Sequence, residues 1–192
     1  FANDWAWEIA GSFGRNTAVD GSTNVANLER VANTLDTSKC SLAAGAAIPC
    51  ADYLGFGDLT PAALDYILFT SRDRGGNEIA TVTADVNGNL FRLPAGPVAF
   101  AAGVVYRKEK GWRDPDPLTV LGVANTNQQD PISGTSIAKE GYLELSVPLL
   151  ANTPFFKALT LDGAVRYSDY DLFGGDWNYK LGADWVINDE TS

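Results

Sequence analysis

Three places in this chain bring together side chains able to do chemistry. Asp114-Pro115-Asp116 offers two carboxylates two residues apart, oxygen ligands of the hard kind that calcium takes. The rest of a calcium loop's spacing is missing, and Asp and Pro favour turns on their own account, so a solvated turn is the preferred reading. Glu140 and Glu144 share one strand face, as do Asp162 and Arg166. Either pair resembles an acid–base couple, but the sequence shows no burial that would perturb them. Cross-strand ion pairs on a wet surface explain them more economically. The 192 residues contain no histidine, which removes the commonest general base and metal ligand and leaves no hydrolytic triad to complete. Gly174-Gly175 lacks the strand-to-helix context of a phosphate loop. No enzyme activity, catalytic residue, metal or cofactor is expected.

Cys40 and Cys50 are the only cysteines, in a stretch rich in glycine, alanine and proline. The spacing reads as a local disulfide in an oxidising compartment, with two free thiols in a reducing one as the alternative. A formal charge of −10, from 24 acidic and 14 basic residues, argues against nucleic acid as a partner.

Six segments alternate apolar and polar with period two. Trp5, Trp7, Ile9, Gly11 and Phe13 oppose Asp4, Ala6, Glu8, Ala10 and Ser12; Val82, Ala84, Val86 and Leu90 oppose Thr81, Thr83, Asp85, Asn87 and Asn89. Val98, Phe100, Ala102, Val104 and Tyr106 oppose Ala99, Ala101, Gly103, Arg107 and Glu109. Leu143, Leu145 and Val147 oppose Glu140, Tyr142, Glu144 and Ser146; Leu159, Leu161, Val165 and Tyr167 oppose Thr160, Asp162, Arg166 and Ser168. The last run sets Trp177, Tyr179, Leu181, Ala183 and Trp185 against Asn178, Lys180, Gly182 and Asp184. An aliphatic band closed at both ends by aromatics is what a lipid-facing barrel wall needs. A soluble β-sandwich also alternates, so a soluble β-rich carbohydrate-binding or adhesin module is the alternative reading. Asp, Glu, Lys and Arg together on the polar faces favour the barrel.

Connection lengths are asymmetric. The links at Leu93-Pro94-Ala95-Gly96-Pro97 and around Leu150 to Lys157 are short, whereas 16–78 and 110–136 read as long loops. Short turns on one side and long loops on the other match outer-membrane barrels, whose long loops are extracellular. Two short helices are expected in the first loop. One spans Asn24 to Leu35, with Val25, Leu28, Val31, Ala32 and Leu35 as a packing stripe; the other starts at Thr60-Pro61, with Leu64, Ile67 and Leu68 as its apolar face.

The stretch LPAGPVAFAAGVVYRKEKGWRDPDPLT, the run KEGYLELSVPLL, then FFKALTLDGAVRYSDYDLFGG and WNYKLGADW resemble the barrel of proteobacterial TonB-dependent outer-membrane receptors. The Cys-bearing loop with DLTPAALDYI resembles the long extracellular loops of that group. The resemblance implies an all-β fold over 1–192, an antiparallel up-and-down transmembrane barrel segment of about six strands from a larger barrel, located in the bacterial outer membrane. It implies active import of a scarce nutrient (siderophore, cobalamin or oligosaccharide) with TonB-derived energy. The partners it implies are outer-membrane lipid, a nutrient ligand at the extracellular loops, and the TonB complex through a plug domain that this stretch lacks. The chain contains no methionine, opens at Phe1 within a strand-like pattern and stops at Ser192 in a polar run, so it reads as an internal fragment. Ligand contacts are expected at the extracellular mouth, where Arg107, Glu109, Trp112, Tyr142, Asp169 and Tyr170 combine polar and aromatic character.

Overall fold

The computed structural model describes residues 4–53 and 59–188; Phe1 and the polar run ending at Ser192 lie outside them. Six strands, β1 (Ala6–Ala26), β2 (Leu68–Leu93), β3 (Gly96–Asp114), β4 (Ile132–Thr153), β5 (Phe156–Tyr170) and β6 (Gly174–Val186), form one sheet in sequence order. The topology is up-and-down and antiparallel, and the sheet is open. Six strands are fewer than the roughly eight that close the smallest membrane barrels. Three short helices, α1 (Leu28–Leu35), α2 (Pro61–Ile67) and α3 (Pro117–Val120), lie in the connections. The chain divides into two compact units. One comprises Phe1–Arg15, Glu78–Lys110 and Thr135–Ser192; the other comprises Asn16–Asn77 and Gly111–Gly134.

The first unit is the wall. Register makes each of its last three strands present one apolar and one polar face. Leu143, Val165 and Tyr179 stand side by side, as do Val147, Leu161 and Ala183. One residue away, Tyr142, Arg166 and Asn178 form a polar row, and Glu144, Ala164 and Lys180 another. Slipping one strand by a single residue would put apolar side chains among charged ones, so the two faces specify the pairing. The apolar face is uncovered: Ile9 is 68% exposed, Val104 58% and Leu181 90%. Trp177 and Trp185 are eight residues apart on β6. That is about 27 Å of strand at ~3.4 Å per residue, or about 20 Å of membrane depth at ~40° tilt.

Aromatic pairs mark both limits of that band. Near the tight turns Trp5 meets Phe100 edge to face at 4.8 Å, and Phe156 stacks on Trp185 at 5.3 Å. Toward the far end of β5 and β6, Tyr167 and Trp177 lie 4.8 Å apart. Such pairs contribute about 0.5–1.5 kcal/mol each beyond their area. Trp5 reaches Phe100 across Gly88, where any Cβ would collide with the indole. Two-residue turns are Pro94-Ala95 and Pro154-Phe155, while Asp171 to Phe173 make a three-residue turn between β5 and β6. In the turn at Pro154, Phe155 holds φ +66°, a left-handed conformation costly for a bulky residue. Its carbonyl accepts the Trp185 Nε1–H at 2.9 Å. Pro148, which has no N–H to give the ladder, sits at the β4–β5 irregularity between Pro148 and Leu150.

The second unit takes in most of the two stretches read as long loops, and parts of it are strand: β1 runs on to Ala26 and β2 begins at Leu68. Helix α1 therefore starts at Leu28 and not at Asn24. Asn24–Ala26 remain part of β1, Asn24 with φ +60°, and Asn27 caps the helix by accepting the Arg30 N–H on its side-chain oxygen. The expected packing stripe is not what α1 buries. Leu28 and Leu35 are half exposed, while Thr34 is buried, its hydroxyl bonded to the Val31 carbonyl and Tyr53 Oη. Helix α2 begins at Pro61 with Thr60 as its N-cap, and buries Ala63 and Ile67.

The connections are stitched by backbone hydrogen bonds. Asn27 N–H donates to the Ile67 carbonyl, Leu28 N–H to Val123, and Asn125 N–H to Ala26. Cys40 and Cys50 are joined in a disulfide beside the Ser41–Pro49 bridge, and closing a loop of that size stabilises by roughly 2–3 kcal/mol on the chain-entropy account. Asp116 is not a solvated turn residue. Its side chain caps α3 through the Leu118 N–H and accepts the Arg72 N–H at 3.0 Å. Among the described residues no three His, Cys, Asp or Glu side chains group as metal ligands.

Candidate functional site

The polar face of the first unit carries a ladder of side chains running across four strands. Tyr142 Oη on β4 donates to Asp85 Oδ1 on β2 at 2.7 Å, passing over β3 at Gly103. A Cβ there would overlap both the Asp85 carboxylate and the Tyr142 ring, so the hydrogen bond exists only because position 103 is glycine. Arg166, the register partner of Tyr142 on β5, places its guanidinium 5.6 Å from the Tyr142 ring centroid, within cation–π reach. The same guanidinium meets Glu140 Oε2 at 3.5 Å, and Tyr170 Oη donates to Glu140 Oε1 at 3.5 Å.

The strengths differ along the ladder. The Tyr142–Asp85 bond is short and its acceptor is charged, which places it among the stronger side-chain hydrogen bonds. The two contacts at 3.5 Å are at the limit of hydrogen bonding, and an ion pair with a half-exposed arginine contributes about 0–1 kcal/mol. The loose end is therefore open to exchange its partners for those of a polar solute. The ladder assembles no nucleophile–base pair. The ladder can bind polar groups; it offers no covalent chemistry.

The six residues expected at the mouth are not gathered in one place. Tyr142 and Tyr170 are joined through Glu140 and Arg166. Arg107 and Glu109 share the polar side of β3 and pair with each other at 3.3 Å. Asp169 pairs in register with Lys139 and Gly175, and as Tyr170's neighbour on a strand its side chain alternates to the other face. Trp112 belongs to the second unit. Asp85, Gly103, Glu140 and Arg166 complete the ladder although reasoning from sequence left them outside the site. The available signal was a glycine among the alanine, valine, arginine and glutamate residues of that face of β3, but its neighbours depend on register.

In the second unit a second cluster forms where Arg113 Nη2 meets Asp73 Oδ2 at 2.7 Å and the Asp116 N–H donates to Asp73 Oδ1 at 3.0 Å. β2 has 26 residues where ~9–11 cross a bilayer, and Asp73 lies in the polar run beyond its membrane-crossing part. The Arg113 hydrogen bond, then that of the Asp116 amide, hold the Asp73 carboxyl below the usual carboxylate value, against a smaller opposing effect of burial.

An open antiparallel sheet with one uncovered apolar face, aromatic limits to that face and a hydrogen-bonded polar face is a section of a transmembrane β-barrel wall. The family model for the TonB dependent receptor-like β-barrel matches residues 1–192. The chain belongs to that family, whose members reside in the bacterial outer membrane and transport their ligands with TonB; they are transporters and not enzymes. No curated protein and no solved structure matches the chain.

Proposed function

We propose that the chain forms part of the wall of an importer of one scarce nutrient, a siderophore, cobalamin or an oligosaccharide, with its long connections on the extracellular side. The observation that carries this is the Asp85–Tyr142–Arg166–Glu140–Tyr170 ladder on the face opposite the uncovered apolar one. A lipid-facing wall needs one apolar surface; a ladder with loosely held members on the other surface suits solute passage. Tyr142, Tyr170, Arg107 and Glu109 are the ligand contacts we assign to that face. TonB acts on the receptor through its plug domain.

The test is uptake by cells lacking the receptor, complemented with wild type or with an Asp85→Asn, Tyr142→Phe, Arg166→Gln variant. Each nutrient class is supplied in turn as the limiting one, with and without TonB. One class is expected to need both receptor and TonB. Its uptake is expected to fall several-fold in the variant at equal amounts of folded receptor. Equal uptake of all three classes with and without the receptor would remove the reading.

A further inference from the structure

The uncovered apolar face of the first unit is grooved. A hollow of about 550 Å³ opens over Ala84 of β2, Ala102 of β3 and Gly141 of β4, where the side chains are too small to fill the surface. Leu143, Tyr167 and Trp177 bound it. In register, Gly141 stands beside Tyr167 and Tyr167 beside Trp177. The hollow therefore reaches the aromatic limit of the band at the end away from the tight turns. Across from Gly141 lies Val104 of β3, its Cγ1 4.0 Å from the place a Cβ would take. Past that limit three lysines continue the same face. Lys139 is two residues beyond Gly141 on β4, and Lys108 and Lys110 are four and six beyond Val104 on β3. Alternation keeps each of them on the side of Gly141 and Val104, and at ~3.4 Å per residue Lys139 is about 7 Å along the strand from Gly141.

All three lysines are exposed, and among the described residues none has a hydrogen-bond or ion-pair partner. Their neighbours on β3, Arg107 and Glu109, belong to the other face and pair with each other. On the lysine face Arg15 pairs with Glu78 at 3.3 Å, and Asp169, level with Lys139, leaves a surplus of positive charge. That surplus is local, in a chain whose formal charge is −10. Lysine stems lie along apolar surface while their ammonium groups reach the polar boundary. A hydrocarbon-lined hollow ending at unpaired cations matches a molecule that carries acyl chains and phosphate together. Several cations suit a head with more than one phosphate; a phospholipid with a single phosphate would leave most of them unmatched. We propose that this face holds a phosphorylated glycolipid of the outer leaflet, one acyl chain in the hollow and its phosphates on Lys108, Lys110 and Lys139. The inference rests on the transport reading in one respect: extracellular long connections put the lysines at the outer leaflet.

The experiment is native mass spectrometry of the intact receptor in detergent. It is titrated with bis-phosphorylated lipid A, with the same lipid stripped of phosphate, and with phosphatidylglycerol. Wild type is compared with Lys108→Gln, Lys110→Gln and Lys139→Gln combined, with the corresponding arginine triple, with Gly141→Leu, and with Lys180→Gln on the polar face. Each is first shown folded by heat-modifiable gel migration. A Cβ at position 141 meets nothing closer than 3.9 Å, so leucine fills the hollow without forcing the backbone. Bis-phosphorylated lipid A is expected to bind wild type more tightly than either other lipid. The glutamine triple is expected to lose tenfold or more in affinity, at about fivefold per lysine near an anionic lipid surface, and Gly141→Leu several-fold. The arginine triple and Lys180→Gln are expected to keep the wild-type affinity. Equal affinity for the dephosphorylated lipid or for phosphatidylglycerol overturns the proposal. So does unchanged affinity in the glutamine triple or in Gly141→Leu, or a loss in Lys180→Gln as large as in the triple. TonB-dependent uptake decides the transport reading separately, because lipid binding needs neither nutrient nor energy source.

Discussion

At the scale of single residues, glycine decides which side chains meet. Gly103 lets Tyr142 reach Asp85, Gly88 admits Trp5, and Gly76 admits Trp112; in each case a Cβ would stand where the aromatic ring or its partner now lies. Hydrogen-bonding residues then do the fixing. Asp73 takes the Arg113 guanidinium and the Asp116 amide, and Asp116 in turn caps α3. Because the Asp73 carboxyl is held below its ordinary value of 3.8, its contribution is fully present above that value and is lost as pH falls through the lower folded one. Protection of the Asp116 amide from hydrogen exchange, corrected for intrinsic rate, is therefore expected to drop only below about pH 3.8. In Asp73→Asn the protection is expected to be low at every pH. A drop already between pH 7 and 5 would show that another group controls the cluster.

At the scale of elements, the tight turns hold the strands in register at some local cost. Phe155 at φ +66° is 77% exposed and uses only its carbonyl, toward Trp185. Asparagine tolerates the left-handed region far better than phenylalanine. Phe155→Asn is thus expected to stabilise the folded receptor by about 0.5–1 kcal/mol, read as a higher urea midpoint in lipid vesicles. A lower midpoint would mean that the Phe155 ring itself anchors the turn at the bilayer surface. Helix α1 teaches a different lesson. Its leucine stripe has the spacing of a packing face, yet the buried side chain is Thr34. Periodicity shows that a face exists; what covers it is decided by neighbours far away in sequence.

At the scale of the whole molecule, the wall reading makes Trp7, Trp177 and Trp185 lipid-facing. Phospholipids brominated along their acyl chains quench indoles at their own depth. Replacing these three tryptophans with Phe is expected to lower the quenching of the folded receptor in such vesicles, with Trp5 on the same face keeping part of it. Equal quenching in wild type and triple variant would mean that the apolar face at these three positions is covered by protein instead. The ladder and the disulfide-bearing connections are expected to be unaffected by those substitutions, since they belong to the polar face and to the second unit.

Strand number, the two-faced pattern, the tight turns at Pro94 and Pro154, the helix at Thr60-Pro61 and the outer-membrane family were legible in the sequence. Each rests on local alternation, local turn chemistry or a resemblance carried by contiguous stretches. Which polar residues act together was not legible. The partner of Tyr142 is 57 positions away, and that of Asp73 is 40. A period of two assigns each side chain to a face, but only hydrogen-bonded register between strands sets its neighbours on that face. The same physics split the six expected mouth residues. Tyr142 and Tyr170 are linked through Arg166 and Glu140, Arg107 pairs with Glu109, Asp169 turns to the other side, and the Trp112 ring lies over Gly76 of β2. The sequence by itself thus determined the elements and their faces, because these follow from local stereochemistry. The tertiary structure alone decided the constellations, because they depend on distances across strands far apart in the chain.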